Sequence, residues 1–203
     1  MKITKIEPQK RNRDRRSVYI DGTYAVGMSL ETLIKLDLFE GKEVDKEELK
    51  RIAFEIEKEQ AENYAKLLLS YRERSPKEIE DRLKKRGYSE EVIHRVVSDL
   101  NEVGLLDKKR FARMWIKDRL GFSGKGKRFI TMELLKKGLK REEIEEAFKD
   151  SDFDELETAK RVAERYLSHL KDTDPLKGRK KLYDHLVRRG FSFEVIEEVL
   201  NGL

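Results

Sequence analysis

The sequence predicts a mainly α-helical protein with three tandem three-helix repeats in an elongated array, preceded by a small N-terminal β-hairpin and helix extension. Three observations predict this fold. The 203 residues include only 3 Pro and 12 Gly, and residue types that favour helix are abundant. A pattern of apolar residues around a glycine recurs about every 51 residues. Only the first 28 residues combine β-branched and aromatic residues with turn-forming pairs.

The N-terminal residues have the sequence signals of strands. Residues 3–6 favour a strand that stops at Pro8, and a polar loop over residues 9–16 follows. Residues 17–26 then form a hairpin around Asp21-Gly22, since a two-residue turn of this type needs positive φ. Because a lone small sheet is marginally stable in water, we expect it to pack on the helices that follow.

A short helix is predicted after the hairpin. Ser29 is a candidate N-cap for a helix over residues 30–38, and Gly41 interrupts the helical pattern. These elements make residues 1–44 an N-terminal extension. Asp45, with Glu48 three residues later, then resembles a capping box that opens a long helix.

Three glycines that follow pairs of basic residues mark an internal repeat. They are 51 and 52 residues apart, and each has a Leu four residues before it and an Ile six residues after it. The matching sets are Leu83, Gly87 and Ile93; Leu134, Gly138 and Ile144; and Leu186, Gly190 and Ile196. Such agreement over three windows indicates tandem repeats.

Each repeat is predicted to contain three helices. The long first helix of repeat 1 runs to about Tyr71, and Ser75-Pro76, Gly126 and Gly178 stand where the three middle helices begin. Each middle helix ends at its repeat glycine, which suits a left-handed cap. A third helix with an apolar stripe follows. The predicted repeats are residues 45–106, 107–153 and 154–203.

Charge is arranged in blocks of alternating sign, within a net charge of +5. Residues 108–141 hold thirteen basic and two acidic residues, a net of +11, whereas residues 142–158 hold nine acidic and one basic, a net of −8. A basic block of this size favours a polyanion, and acids within the block cannot neutralise it. The alternative is a set of solvated helix faces whose charges cancel across space.

Several classes of protein are excluded or disfavoured. The absence of Cys excludes disulfides and a thiol nucleophile. No apolar run is long enough for a membrane helix or a signal peptide, so we expect a cytoplasmic protein. His94, His169 and His185 lack the spacing of a zinc site. We expect no catalytic residues, no metal and no cofactor.

Nine basic residues are candidate contacts to nucleic acid or to a partner protein: Arg11, Arg13, Arg15 and Arg16 in the polar loop, Arg72 and Arg74 at a helix end, and Lys125, Lys127 and Arg128 in the +11 block. For Arg72 and Arg74 the alternative is interaction with the helix dipole. The glycine-rich segment 121–127 is either a plain linker or a contact to a phosphate backbone or to an acidic protein surface. Trp115 is expected in the core with Phe111.

Several motifs resemble the signature of the RecX family, over roughly residues 60–203. They are the run 68–79, the run 83–88, Gly104–Asp107 leading into Phe111-Ala112, Gly124–Gly126, and Glu133-Leu134 with Lys137-Gly138. Two positions depart from the pattern. Lys108 stands where a second acid is usual, and Ile79 stands where Leu is common.

The resemblance implies a non-enzymatic regulator of the RecA recombinase that acts in DNA recombination, DNA repair and the SOS response. RecX proteins bind the RecA–single-stranded DNA filament along its groove and inhibit ATP hydrolysis and strand exchange. The expected partners are therefore RecA and single-stranded DNA, with duplex DNA as a further candidate, no membrane, and a monomeric protein.

Two other function classes stay open at this point. One is a sequence-independent or sequence-specific DNA-binding protein of the transcription type, built from helix-turn-helix-like modules. The glutamates in the third helices disfavour it, because they would repel phosphates. The other is a nuclease or another enzyme, for which the sequence offers no distinctive site.

Overall fold

The computed structural model describes residues 1–119, 124–170 and 175–202. These residues form three strands and ten helices. They divide into two compact units. The first contains Met1–Arg72 and Ile79–Glu102, and the second contains Glu73–Glu78 and the chain from Val103 onward.

The first unit begins with an antiparallel sheet in the order β1-β2-β3. Its strands are β1 (Ile3–Gln9), β2 (Asn12–Ile20) and β3 (Thr23–Ser29). The predicted hairpin is confirmed, with Asp21 and Gly22 at φ values of 48° and 81°.

The prediction of a polar loop over residues 9–16 is wrong. Strand β1 continues through Pro8, the turn contains only Lys10 and Arg11, and β2 starts at Asn12. Pro8 is compatible with the sheet because β1 is an edge strand and its register shifts between Pro8 and Gln9. The arginine-rich segment is therefore mostly strand, which fixes where its side chains lie.

Two helices follow the sheet, α1 (Leu30–Lys35) and α2 (Lys46–Tyr71). Their predicted caps are confirmed: Ser29 Oγ accepts the N–H of Thr32 at 3.0 Å, and Asp45 Oδ1 accepts the N–H of Glu48 at 2.8 Å. Helix α1 ends earlier than predicted, because Asp37 adopts a left-handed φ of 50° that a helix cannot contain.

The sheet and these helices share one apolar cluster, so the predicted packing of the hairpin on the helices is confirmed. The buried members come from all three strands, from α1 and the segment after it, and from the first half of α2. They are Ile3, Val18, Met28, Leu33, Leu36, Leu38, Val44, Ile52 and Ile56. Each fully buried aliphatic side chain contributes about 1.5–3 kcal/mol, which a lone hairpin could not supply.

A partly buried carboxylate fastens the sheet to α2. Glu59 Oε1 lies 2.7 Å from Arg15 Nη1, and Glu59 Oε2 accepts hydrogen bonds from Thr32 Oγ1 at 2.7 Å and from the N–H of Ser29 at 3.1 Å. Burial raises the pKa of Glu59, but the hydrogen bonds from Thr32 and Ser29 and the charge of Arg15 outweigh it. The pKa of Glu59 therefore lies below its usual value.

We expect Glu59→Gln to lower the free energy of unfolding by about 1–3 kcal/mol near neutral pH, because charge-assisted hydrogen bonds are lost. A lowered pKa in the folded state stabilises the protein above the unfolded pKa, and this contribution disappears as the pH falls through the folded pKa. The difference between wild type and variant should therefore shrink below about pH 4. Urea denaturation followed by circular dichroism measures it.

The control for this prediction is Glu62→Gln on the same helix. Within the described part of the chain, Glu62 pairs with Lys66 one turn away and with no other cation, and that lysine side chain is half exposed. Such surface pairs contribute about 0–1 kcal/mol, so this variant should unfold almost like the wild type. Equal losses in the two variants would show that Glu59 does not fasten the sheet to α2.

The first unit is completed by most of α3 (Pro76–Lys85) and by α4 (Glu90–Glu102). Both contribute buried apolar residues together with the second half of α2. The buried residues are Ala61, Ala65 and Leu68 on α2, Ile79 and Leu83 on α3, and Val92, Ile93, Val96, Val97 and Leu100 on α4.

The second unit contains two further sets of three helices. They are α5 (Lys108–Asp118), α6 (Lys127–Lys136) and α7 (Arg141–Lys149), followed by α8 (Glu155–Leu167), α9 (Pro175–Arg189) and α10 (Phe193–Asn201). Each set has its own apolar cluster. Helix α9 starts at Pro175, so Gly178 lies in its first turn and not before it. Proline suits a first helical position, because its fixed φ is already helical.

The three repeats close their middle helices in the same way, which confirms the tandem repeat. Gly87, Gly138 and Gly190 have φ values of 88°, 84° and 82°. The residue after each glycine donates its N–H to the carbonyl of the repeat leucine, five residues earlier, as in Tyr88 to Leu83 at 3.4 Å. The left-handed glycine lets the chain reverse onto its own helix.

The same glycine serves a second purpose in the second unit. A Cβ on Gly190 would lie 2.6 Å from Phe129 Cβ, whereas a Cβ on Gly87 would have no atom within 4 Å. We expect Gly87→Ala to cost about 1–2 kcal/mol, from the left-handed backbone alone. Gly190→Ala should cost clearly more, because the first turn of α6 must also move. Urea denaturation of both variants measures this, and equal losses would contradict it.

Candidate nucleic-acid interface

The four arginines of the N-terminal segment differ in their surroundings. Arg11 lies in the turn between β1 and β2, and Arg13 lies on β2; both are exposed. Arg15 is held by Glu59 and also donates to the carbonyl of Gly27 at 2.9 Å. Arg16 is half-buried, and its guanidinium donates to the carbonyl of Arg15 at 3.2 Å. Arg11 and Arg13 are therefore presented to solvent, whereas Arg15 and Arg16 stabilise the sheet.

Arg72 and Arg74 flank the end of α2. Arg72 is the C-cap residue of that helix and is exposed, whereas Arg74 is half-buried just before α3. A cation at the C-cap interacts favourably with the carbonyl end of the helix. The position of Arg72 therefore agrees with the structural alternative, and its exposure also agrees with a contact role.

Six basic residues of the +11 block pair with the protein's own glutamates. The pairs, with their N–O distances, are Lys108–Glu143 at 3.1 Å, Lys109–Glu146 at 2.6 Å, Arg110–Glu73 at 2.9 Å, Arg119–Glu133 at 2.7 Å, Lys127–Glu145 at 2.7 Å and Lys137–Glu78 at 2.8 Å. The block is therefore neutralised in part, and three of the six pairs form because α7 packs on α5 and α6 and brings its acids across. Five of the six acids lie outside residues 108–141, so for these cations the structure supports the alternative of charges that cancel across space.

Six other cations of the block stay exposed on α5, on α6 and at the start of α7, with no ion pair in the parts of the chain that the structure describes. They are Arg113, Lys117, Arg128, Lys136, Lys140 and Arg141. Arg113 and Lys117 lie one turn apart on the same face of α5. We call these six residues the basic surface. Of the three candidates predicted here, only Arg128 belongs to it.

The glycine-rich loop before α6 uses its backbone donors within the protein. The N–H groups of Gly126 and Arg128 donate to the carbonyls of Arg189 and Gly190, at 3.0 and 3.1 Å. The N–H of Lys127 donates to Glu155 Oε1 at 2.8 Å. A phosphate would need these same donors, so the geometry favours a connecting role for this loop over a contact to phosphate. Residues 121–123 of this segment lie outside the described residues.

The ammonium group of Lys125 lies 4.1 Å from the ring centroid of Phe129. This cation–π contact belongs to the same loop and holds Lys125 against the first turn of α6. Lys125 is half-buried. It is therefore less available to a partner than the residues of the basic surface.

Trp115 belongs to the core of the second helix set, as predicted. Its ring stacks on Phe111 with centroids 5.6 Å apart, and its Nε1–H donates to Glu133 Oε2 at 2.9 Å. Arg119 and Lys137 lie over the ring at 4.3 and 4.2 Å. Burial raises the pKa of Glu133, but hydrogen bonds from Arg119 and Trp115 outweigh it and lower the pKa below its usual value. This network occupies the indole, which therefore does not present a stacking surface for bases.

The histidines do not form a site together. His185 stacks on Tyr166 with centroids 4.1 Å apart and accepts a hydrogen bond from Arg189 Nε at 3.0 Å. Burial and the nearby cations lower the pKa of His185, so its ring is neutral near pH 7. His94 lies on α4 and His169 follows α8. Within the described ranges, no three acidic or histidine side chains cluster in a way that could hold a metal.

None of the described helices is long and apolar enough to span a bilayer.

Four family models match the chain in order. They are the Regulatory protein RecX N-terminal domain at residues 1–45, and the first, second and third three-helix domains of RecX at residues 61–100, 107–147 and 154–200.

Curated relatives match almost the whole chain. Regulatory protein RecX of Bacillus licheniformis is 36% identical over 199 residues, which cover 98% of this chain and 76% of the relative. Regulatory protein RecX of Clostridium tetani is 37% identical over 211 residues, with 100% and 94% covered.

Solved structures have the same fold. A crystal structure of regulatory protein RecX superposes with a TM-score of 0.84 at 27% identity, covering 98% of both chains. RecX from Lactobacillus salivarius gives a TM-score of 0.66 at 26% identity, over 72% of this chain and 96% of that one. Together with the repeat and its glycine turns, these matches show that this chain belongs to the RecX family of regulatory proteins.

Proposed function

We propose that this protein binds the RecA–single-stranded DNA filament and inhibits ATP hydrolysis and strand exchange by RecA, which regulates recombination and DNA repair. Membership of the RecX family supports the regulatory role. The observation that supports binding to a nucleoprotein filament is the basic surface, six exposed cations without internal ion pairs in the described residues. The protein would act in the cytoplasm, as a monomer and by binding alone.

The energetics of a basic surface suit this role. Each cation that neutralises a phosphate releases counterions, so binding gains free energy without reading the base sequence. A regulator of a filament needs this kind of contact, because the filament forms on DNA of any sequence. The exposed arginines of the N-terminal sheet, Arg11 and Arg13, provide further positive charge in the first unit.

The third helices argue against a sequence-specific DNA-binding protein. Helices α4 and α10 each expose glutamates at their first turns, namely Glu90, Glu91 and Glu194. A recognition helix would have to place this turn in the major groove, where the carboxylates would be repelled by phosphates. Tight, sequence-selective binding to duplex DNA in the absence of RecA would favour the transcription alternative.

We expect the protein to inhibit RecA at substoichiometric amounts. Added to RecA on single-stranded DNA with ATP, it should reduce ATP hydrolysis by far more than its molar share, because one bound molecule affects many subunits of a polymer. Steady-state ATP hydrolysis measures this. A fall strictly proportional to the added protein would indicate sequestration of RecA subunits, and no fall would contradict the proposed function.

The basic surface can be tested by charge reversal. We expect Arg113→Glu with Arg128→Glu to raise the concentration for half-inhibition at least about tenfold and to reduce its dependence on salt, because phosphate contacts are lost. Helicity should not change, since both side chains are exposed. Lys127 is left unchanged in this variant, because its ammonium group pairs with Glu145.

The matched control reverses two exposed lysines of the same unit, with Lys149→Glu and Lys160→Glu. These lysines lie on α7 and α8, in acidic surroundings outside the basic surface. The change in net charge is identical, so a general charge effect would weaken both double variants equally. Inhibition that stays at the wild-type level in the Arg113 and Arg128 variant would remove the basic surface from the mechanism.

A further inference from the structure

A contact between a glycine turn and a helix start occurs twice in the second unit. A Cβ on Gly138 would lie 2.9 Å from Lys77 Cβ, in the first turn of α3, and a Cβ on Gly190 would lie 2.6 Å from Phe129 Cβ, in the first turn of α6. Only glycine permits this approach. We call this arrangement the turn-to-helix joint: a repeat glycine, with the basic residue before it, packed on the first turn of another helix.

The basic residue of each joint supplies a hydrogen bond to an oxygen on the docked segment. Lys137 Nζ lies 2.8 Å from Glu78 Oε1, and the other oxygen of Glu78 accepts the N–H of Ser75 at 3.2 Å. Arg189 donates to the carbonyl of Gly124, which precedes α6, at 3.3 Å. In both joints a cation therefore holds an oxygen acceptor at the start of the docked helix.

The Lys137 joint also has an aromatic platform. The ammonium group lies 4.2 Å from the centroid of Trp115, within its own helix set. This contact fixes the long side chain before it reaches Glu78, which reduces the entropy lost on pairing. The Lys137 joint thus has three parts: an aromatic ring under the cation, a glycine beside it, and an acceptor from the docked helix. The Arg189 joint shares the glycine and the acceptor, and its cation also donates to His185 Nε2.

The first repeat has two of these three parts. Arg86 lies over the ring of Tyr64 at 4.2 Å, and Gly87 has the same left-handed backbone, with φ of 88°. Both residues are exposed, and a Cβ on Gly87 would have no atom within 4 Å. No carboxylate or carbonyl of the described residues accepts a hydrogen bond from Arg86. The cation is held in place, but its acceptor is missing.

We propose that Arg86 and Gly87 form a docking site for the first turn of a helix in a partner protein, with an acidic side chain of that turn accepting hydrogen bonds from Arg86. The Lys137 and Arg189 joints are the precedent for a helix start as the occupant. The exposed Arg82, one turn before Arg86 and without an ion pair in the described residues, favours an acidic partner, whereas Lys84 already pairs with Glu90. The inference rests on the proposed function, because that function names RecA as the partner protein and RecA is therefore the partner to test.

Phosphate is a less suitable occupant than a helix start. A phosphodiester needs cations but no residue without Cβ beside them, whereas the Gly138 and Gly190 joints both depend on the missing Cβ. A single arginine fixed over a ring also presents its charge in one direction, which suits one carboxylate. Binding of Arg86 to DNA, or to a second copy of this chain, would contradict the inference, and the test distinguishes both from binding to a partner helix.

The test compares four single variants with the wild type, in binding to RecA assembled on single-stranded DNA and in binding to that DNA alone. We expect Arg86→Gln to weaken binding to the filament about tenfold or more. Gly87→Asn should weaken it similarly, because Asn tolerates the left-handed backbone but fills the space beside it. Arg86→Lys should restore much of the affinity. Binding to DNA alone should not change.

The matched control is Lys85→Gln, which removes the same charge one residue away and should change binding to the filament less than about twofold. Equal losses in Arg86→Gln and Lys85→Gln, with a parallel loss of DNA binding, would identify a polyanion site and overturn the inference. The inference would also be overturned if the wild type formed an oligomer in sedimentation experiments and Arg86→Gln abolished it, because the occupant would then be a second copy of this chain. Thermal unfolding confirms that each variant is folded.

The remaining outcomes separate this inference from the proposed function. If the wild type and Arg86→Gln bind and inhibit RecA equally, the docking site is wrong and the proposed function stands. If the wild type neither binds the filament nor inhibits RecA, the proposed function is wrong, and the assignment of the acidic helix to RecA is wrong with it.

Discussion

The left-handed glycine at the end of each middle helix is the constraint on which the repeats depend. It reverses the chain and returns the next N–H to the carbonyl of the buried leucine. The third helix then starts in the direction that packs it on the middle helix. In the second unit its missing side chain also lets another helix start approach, as Phe129 approaches Gly190. One residue type therefore determines both the fold of a repeat and the contact that a repeat offers.

Electrostatics follows from this packing. Helix α7 lies against α5 and α6, so its glutamates meet lysines that are distant in sequence, as in Lys109–Glu146 and Lys127–Glu145. The positive surface that stays exposed is therefore smaller than the +11 charge of residues 108–141 suggests. Partly exposed pairs of this kind contribute little stability each, but they decide which cations a partner can reach.

The N-terminal sheet is an integral part of the first unit. Its inner face shares a core with α1 and α2, and the Arg15–Glu59 pair ties β2 to the middle of α2. Sequence patterns located the Asp21-Gly22 hairpin and the caps at Ser29 and Asp45, because these signals are local. They missed the strand through Pro8, because proline fits a strand only at a sheet edge or an irregularity, and the order of the strands is decided by the tertiary structure.

The sequence by itself determined the helical class, the threefold repeat and the left-handed turns, because glycine spacing and apolar periodicity are properties of neighbouring residues. Only the tertiary structure decided which basic residues are available. Lys127 and Arg128 are adjacent in sequence, yet one pairs with Glu145 and the other is exposed. That difference arises because partners are brought together across helices, at distances along the chain that no local pattern records.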